Sequence, residues 1–202
     1  MNLVDKSREF AIKSHNSINQ KYNGLPYGES HLQLGVKVGM FFIHLIFEND
    51  RNDVISGIWS HDILEDVTSV TYNDLKKATN TQVAELAYAC TNEKGKTRSE
   101  RANKKYYTGI KRKQYAKFIK LCDRIANVQY SLETKSRMYD VYKKEQKHFQ
   151  KCLTDNFFDR IYKLIHSQNE SNYKEMWDYL NNILSDDIIK RLNKINFNEK
   201  QN

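Results

Sequence analysis

Apolar positions in this chain recur at helical rather than strand spacing. Between residues 3 and 21, Leu3, Phe10, Ile12 and Ile18 stand among charged residues in a helical pattern. The stretch Asn23-Gly24-Leu25-Pro26-Tyr27-Gly28 breaks that pattern and holds the only proline. Leu32, Leu34, Val36, Val38 and the run Phe41 to Phe47 predict a second helix from about 30 to 47. Asn49 to Asp53 read as a polar turn, with Asp53 placed to cap the next helix. That helix, from 54 to about 65, carries Ile55, Ile58 and Trp59 on one side and ends in His61-Asp62-Ile63-Leu64-Glu65-Asp66. Two short helices are expected near 72–78 and 81–90, separated by Thr79-Asn80, and a polar loop at 91–97. Helices near 98–108 and 112–130 follow. The second shows a broad apolar stripe through Tyr115, Phe118, Ile119, Leu121, Cys122, Ile125 and Val128. Helical patterns recur near 137–150, 155–166, 172–184 and 186–194, and the tail from Asn196 is expected to fray. No repeat, low-complexity stretch or linker interrupts the chain. The expectation is one compact all-α domain, with residues 1–135 as its core and 136–202 as C-terminal helices packed on it.

Composition supports that class. Seven Gly and one Pro in 202 residues are few for a β-sandwich, which needs many tight turns. Thirteen Tyr and nine Phe supply aromatic mass for a core. The net charge of +8 favours encounters with anions: nucleotides, nucleic acid or acidic lipid. The local clusters Lys104-Lys105, Lys111-Arg112-Lys113 and Lys143-Lys144 read mostly as solvated helix faces. Cys90, Cys122 and Cys152 form no Cys-x-x-Cys pair, so reduced, buried thiols are the plain reading. The longest largely apolar run, Met40 to Phe47, contains His44 and falls far short of the ~20 residues of a membrane helix. Met1 to Lys6 lack the apolar region of a signal peptide, so a soluble, cytoplasmic protein with no membrane partner is expected.

The strongest chemical signal is His61-Asp62-x-x-Glu65-Asp66. On a continuous helix, positions four apart share a face, which would stack His61 with Glu65 and Asp62 with Asp66. An imidazole beside a carboxylate can bind a divalent ion, and further acids nearby suit acid–base work. The competing reading is an acidic, solvated helix C-terminus. That reading is electrostatically poor, because helix C-termini repel carboxylates unless a cation compensates. His31 and Asp123 are candidates to complete a site. Asp123 interrupts an apolar helix face, and Asn127 lies one turn further on. A carboxylate aimed at a core needs a partner. At this stage Asp123 is either a metal ligand or the ion-pair partner of Lys120 or Arg124, and His31 is either a ligand or a helix-start histidine bonded within its own turn.

These stretches resemble a known family. His31, His61-Asp62 and Asp123 follow the His…His-Asp…Asp order of the HD superfamily. The resemblance is greater to the hydrolase domain of the RelA/SpoT alarmone enzymes and to small stand-alone alarmone hydrolases. It rests on Phe10-Ala11-x-x-x-His15, Asn23-Gly24-x-Pro26-Tyr27, His31, Trp59 to Thr68, and Lys120-Leu121-x-Asp123-Arg124-x-x-Asn127, within residues 8–130. It implies an HD-type helical domain. It also implies a divalent metal, usually Mn²⁺, held by His31, His61, Asp62 and Asp123. Two imidazoles with two carboxylates suit Mn²⁺, and equally admit Zn²⁺, Fe²⁺ or Co²⁺. Glu65 and Asp66 look like the pair that positions and deprotonates the attacking water. Lys21, Arg98, Asn127 and Tyr130 fall where the family contacts its nucleotide. The implied reaction removes the 3′-pyrophosphate from a ppGpp-like alarmone, as in the stringent response. The segment Lys21-Tyr22 replaces the usual Arg-Lys, and Leu32 replaces the usual Pro after the histidine. These departures keep open a related phosphatase acting on an adenine alarmone or on the 2′-phosphate of NADPH. The charge keeps open a non-catalytic nucleotide- or nucleic-acid-binding protein, although nucleic acid is not the expected partner. A toxin is an implied partner only if the protein acts as an antitoxin. His15 reads as either packing or site, and His44, His148 and His166 as ordinary packed or surface residues.

Overall fold

The computed structural model describes residues 1–154 and 173–185. Helix α1 spans Leu3–Ser17 and is started by the Asn2 side chain, which accepts from the Asp5 N–H. It ends earlier than the apolar pattern suggests, because Asn19 turns into left-handed backbone at φ 52°. A two-residue hairpin follows, with β1 (Lys21–Tyr22) antiparallel to β2 (Leu25–Pro26). Asn23 and Gly24 form its turn at φ 50° and 81°, the pair of left-handed residues that a tight hairpin requires. Helical periodicity marks this stretch only as a break.

A π-helical turn, Gly28–Leu32, leads into α2 (Gln33–Phe41). The expected helix to 47 stops at Phe41, and Ile43–Leu45 form a 3₁₀ turn. Helix α3 spans Arg51–Ser60 and follows a 3₁₀ turn at Glu48–Asp50. Asp53 is not its cap. Asp53 lies in the first turn of α3, where its Oδ1 accepts from Asn80 Nδ2 at 2.7 Å. The expected continuous helix through the acidic motif is also corrected: α3 ends at Ser60, and Ile63–Asp66 form a separate turn, α4.

Helices α5 (Tyr72–Ala78) and α6 (Thr81–Cys90) match the sequence pattern, and each is capped by side chains. Thr71 and Asp74 form a reciprocal capping box on α5, and Asn80 caps α6. The loop to Thr97 leads to α7 (Arg98–Arg101) and α8 (Lys104–Arg112), which divide the predicted 98–108 helix. Asn103 caps α8 by accepting from the Lys105 and Tyr106 N–H groups, which explains the break. Helix α9 (Ala116–Glu133) is the axis of the molecule, in contact with α2, α3, α6, α8, α10 (Met138–Thr154) and α11 (Lys174–Ile183). Its residues Phe118, Ile119, Leu121, Cys122 and Ile125 are fully buried. Burial of each large aliphatic or aromatic side chain there contributes roughly 1.5–3 kcal/mol. Trp59 and Phe118 are core residues, as expected.

Gly57 allows α3 to approach α9 closely. A Cβ at that position would lie 2.7 Å from Ile119 Cδ1. The approach matters for chemistry, because α3 delivers His61 and α9 delivers Asp123. The described C-terminal helices pack against α9 through Arg124–Glu145 and through Gln129, whose Nε2 donates to Tyr179 Oη at 2.6 Å. The helical patterns expected at 155–166 and 186–194 lie outside the described residues, as does His166.

Candidate metal centre

His61 sits at the break between α3 and α4. Its Nδ1–H donates to the Ile58 carbonyl at 2.8 Å, the carbonyl that in an unbroken helix faces the Asp62 N–H. That bond fixes the tautomer and leaves Nε2 facing the carboxylates. Nε2 lies 3.0 Å from Asp62 Oδ1 and 3.8 Å from Asp123 Oδ1, and forms no well-aligned hydrogen bond to either. His31, at the end of the π-helical turn, brings its Nε2 to 3.4 Å from Asp123 Oδ1 and 3.9 Å from Asp62 Oδ2. Ligand atoms of His31, His61 and Asp123 all lie within 4.8 Å of one another, a group able to hold a metal ion. Asp62 lies against the same atoms. All four residues picked out as ligands thus converge, although they come from the π-turn, the α3–α4 break and α9.

The electrostatics of the cluster fit a cation. Burial disfavours a charged His61, but the carboxylates of Asp62 and Asp123 outweigh it and push its pKa up to about 10. The same partners act in reverse on the acids. Burial would raise Asp62, yet His61 and Lys120 hold it well below the usual carboxylate range. Asp123 is likewise held far down, chiefly by Lys120 against the opposing effect of burial. A pocket that favours a proton at His61 Nε2 favours a divalent ion at the same place, where a backbone-anchored imidazole is the ordinary metal-binding form.

Lys120 was legible only as a rival partner for Asp123. It is buried, with its Nζ 2.8 Å from Asp123 Oδ2. The ion pair and the histidine cluster use opposite oxygens of one carboxylate, so the pairing with Lys120 leaves Asp123 Oδ1 facing the histidines. Lys120 also supplies the compensating cation that an acidic helix end demands.

Glu65 and Asp66 do not simply stack on His61 and Asp62 along one helix. Each is held from another part of the chain. Glu65 accepts from the Asn92 side chain at 2.8 Å and from its backbone N–H at 3.2 Å. Asp66 accepts from Gln20 Nε2 at 2.7 Å. Because that amide nitrogen faces a carboxylate, its oxygen must face His15 Nδ1, 2.6 Å away. His15 is therefore buried and bonded through Nδ1–H, with its pKa lowered by burial. Burial first, and then the Asp62 charge, push Asp66 up to about 6. Tyr27 donates its hydroxyl to Asp62 Oδ2 at 2.6 Å.

These groups line a cavity of about 360 Å³ whose wall includes His31, Asp62, Glu65, Asp66, Asp123 and Asn127. Asn127 donates to Asp123 Oδ1 at 2.7 Å and accepts from the Tyr22 hydroxyl at 3.2 Å. Arg98 reaches the same cavity, and Tyr130 lines an adjoining one of about 330 Å³ while packing on Tyr22. Lys21 does not join them. It is exposed on β1, and Tyr22 takes the place on the cavity wall. His148, read as ordinary, also borders the cavity, whereas His44 pairs with Glu175 on the surface. Arg124 pairs not with Asp123 but with Glu145, which carries no signal in the sequence. Arg124 lies over the rings of Tyr142 and Phe149, at 4.8 and 4.3 Å, and donates to Glu145 at 3.1 Å. Glu145 also accepts two bonds from Arg98, at 2.9 and 3.0 Å.

Fold and site together define an all-helical protein with a two-histidine, two-carboxylate cluster in the wall of a polar cavity. The fold is like that of a solved SpoT-type structure. A solved structure with this fold is that of a metazoan ortholog of SpoT, described as hydrolysing ppGpp and playing a role in starvation responses. The two align with a TM-score of 0.61 and 19% sequence identity, over 89% of this chain and 94% of the other. No protein-family model and no curated protein matches the chain. Among the described residues, no helix is long and apolar enough to cross a membrane.

Proposed function

We propose that this protein is a metal-dependent phosphohydrolase that removes the 3′-linked pyrophosphate from a ppGpp-like nucleotide. The observation that carries the reading is the convergence of His31, His61, Asp62 and Asp123 beside Glu65 and Asp66 at a cavity that all of them but the buried His61 line. Those four residues would hold one divalent ion, with Mn²⁺ the first candidate. When bound, such an ion supplies Lewis-acid stabilisation of phosphoryl charge and makes a nearby water more acidic.

The chain's own residues do the rest. Asn92 and Gln20 hold the Glu65 and Asp66 carboxylates in place. Those carboxylates accept hydrogen bonds from the attacking water and take its proton. Water attacks the phosphorus attached to the 3′ oxygen, that P–O bond breaks, and the 3′ oxygen regains a proton. Pyrophosphate and a nucleoside 5′-diphosphate leave. Arg98 and neighbouring cations hold the phosphates that do not react, Asn127 fixes Asp123, and Tyr22 and Tyr130 offer ring faces beside the nucleoside. Lys21 would serve through long-range charge rather than contact. The cytoplasm is the compartment in which such a nucleotide is met, and a toxin partner enters only if the substrate is a toxin's product.

The base is less constrained than the phosphate chemistry, because Tyr22 stands where the related enzymes carry a cation. The test is a panel of ppGpp, its adenine counterpart and NADPH. Each is incubated with purified protein and Mn²⁺, with and without chelator, and resolved by ion-exchange chromatography. Release of pyrophosphate from a 3′,5′-bisdiphosphate, lost in chelator, is the expected result. Phosphate release from NADPH alone would move the assignment to the second substrate class, and binding without any product would remove the enzyme reading.

A further inference from the structure

Glu145 occupies an unusual place for a cavity-wall acid. Two guanidinium groups converge on its single carboxylate with three N–H···O bonds: Arg98 Nε to Oε1 at 2.9 Å, Arg98 Nη2 to Oε2 at 3.0 Å and Arg124 Nη1 to Oε2 at 3.1 Å. The Arg98 pair is a fork, and the same fork fits two phosphate oxygens as well as two carboxylate oxygens. Arg124 is held from behind by the faces of Tyr142 and Phe149, so its orientation does not depend on Glu145 alone. All five of these charged and aromatic groups border the same cavity as His31, Asp62 and Asp123.

The charge inventory of that cavity makes Glu145 decisive. Its wall carries the bases Arg98, Arg101, Lys120 and Arg124 against the acids Asp62, Glu65, Asp66, Asp123 and Glu145. Asp62 and Asp123 belong to the cluster, and Glu65 and Asp66 are held beside it. Glu145 alone is seated on arginines. Its side chain is 32% exposed, against 13% for Asp62 and 17% for Asp123, so it has a path into solvent that they lack.

We propose that Glu145 is a built-in competitor for the substrate: it fills an anion seat on Arg98 and Arg124 that a terminal phosphoryl group takes over on binding. Glu145 is then a specificity-determining residue. Exchange of a singly charged carboxylate for a phosphoryl group of higher charge is favourable at two guanidiniums, while a neutral or monoanionic ligand gains nothing from it. The seat selects nucleotides with a phosphoryl group beyond the one attacked. This deepens the phosphohydrolase reading and rests on it for the identity of the nucleotide, but the anion seat itself is testable without turnover.

The experiment titrates inorganic pyrophosphate into the full chain by calorimetry, with chelator present so that no metal holds the probe. Glu145→Gln should bind pyrophosphate on the order of tenfold more tightly than the unaltered protein, a change of about 1.4 kcal/mol. Glu145→Asp keeps the charge but withdraws it by one methylene, and should show a smaller gain. Arg98→Gln should weaken binding. If Glu145 merely buttresses Arg98, the sign reverses, and Glu145→Gln binds equally or more weakly. That outcome, or no binding by either protein, overturns the proposal. Thermal melts of the three variants separate lost folding from lost binding. Absence of hydrolysis by the unaltered protein would sink the enzymatic reading while leaving the affinity comparison intact.

Discussion

At the scale of single residues, the site is governed by which atom of each side chain is already committed. His61 spends Nδ1 on the Ile58 carbonyl and Asp123 spends Oδ2 on Lys120, which leaves His61 Nε2 and Asp123 Oδ1 turned toward each other. Replacing Asp62 or His61 with alanine should remove metal binding and activity together. Replacing Glu65 with glutamine should separate the two. The metal should still bind, and turnover should fall ~10²–10⁴-fold, the usual loss for a general base. Metal content measured beside initial rates checks this, and full turnover by the variant would end the role given to Glu65. Asp66 makes a pH prediction. Its folded-state pKa is raised to about 6 by burial and by Asp62, so an ionised Asp66 opposes folding. Below the unfolded value near 3.8 both states are protonated and nothing is lost; above about 6 both are ionised and the full penalty applies. In chelator, Asp66→Asn should therefore melt higher than the unaltered protein at neutral pH, by about 1–2 kcal/mol after discounting for solvent, and lose that advantage as the pH approaches 4. An advantage that grows on acidification would contradict the sign.

The four convergent side chains, His31, His61, Asp62 and Asp123, were legible because their types and order carry the chemistry. Their supporting partners were not. Gln20, Tyr27, Asn92 and Glu145 lie 46, 35, 27 and 47 residues from Asp66, Asp62, Glu65 and Arg98 and reach them only through the fold. Lys120 carried a signal, three residues before Asp123 on an apolar helix, but that signal was read as an alternative to a ligand rather than as its partner. Lys21, which the resemblance implies as a nucleotide contact, lies exposed on β1, and strand alternation puts Tyr22 on the cavity wall instead.

At the scale of elements, helix existence followed from periodicity, while helix ends followed from side-chain bonds that periodicity does not encode. The helices expected near 72–78 and 81–90 form there, and the structure shows Thr71, Asp74 and Asn80 as the caps that fix their starts. The break at Ser60 was not read, because its cause is an imidazole bonded to a carbonyl. That break is what aims His61 and Asp62 at Asp123. The hairpin at Asn23-Gly24 does similar work by setting Gln20 and Tyr27 on either side of the site. Gly24 has open space around it but a φ of +81°, so Gly24→Val should lose about 1–2 kcal/mol from backbone strain alone. Gly57 has ordinary backbone but a crowded neighbour. Gly57→Ala must push Ile119 and Leu86 away from α3, and should lose about 1–3 kcal/mol. Denaturant melts of both variants check these values, and Gly57→Ala should also weaken metal binding, since α3 and α9 carry opposite halves of the cluster.

At the scale of the whole molecule, helix α9 is both the core axis and the carrier of Lys120, Asp123, Arg124 and Asn127. Its apolar face fixes the fold, and its polar positions border one cavity, so a metal ion bound there would couple to stability. A divalent ion that binds only the folded chain should stabilise it by about 2.7 kcal/mol at a hundredfold excess over its dissociation constant. The melting temperature should rise with Mn²⁺ and fall back with chelator. The measurement closest to the central claim is equilibrium dialysis of Mn²⁺ against the unaltered protein and against alanine variants of His31, His61, Asp62 and Asp123. One ion per chain, weakened in all four variants, is the predicted result. No divalent ion retained by the unaltered protein, or equal retention by all five proteins, would contradict the account.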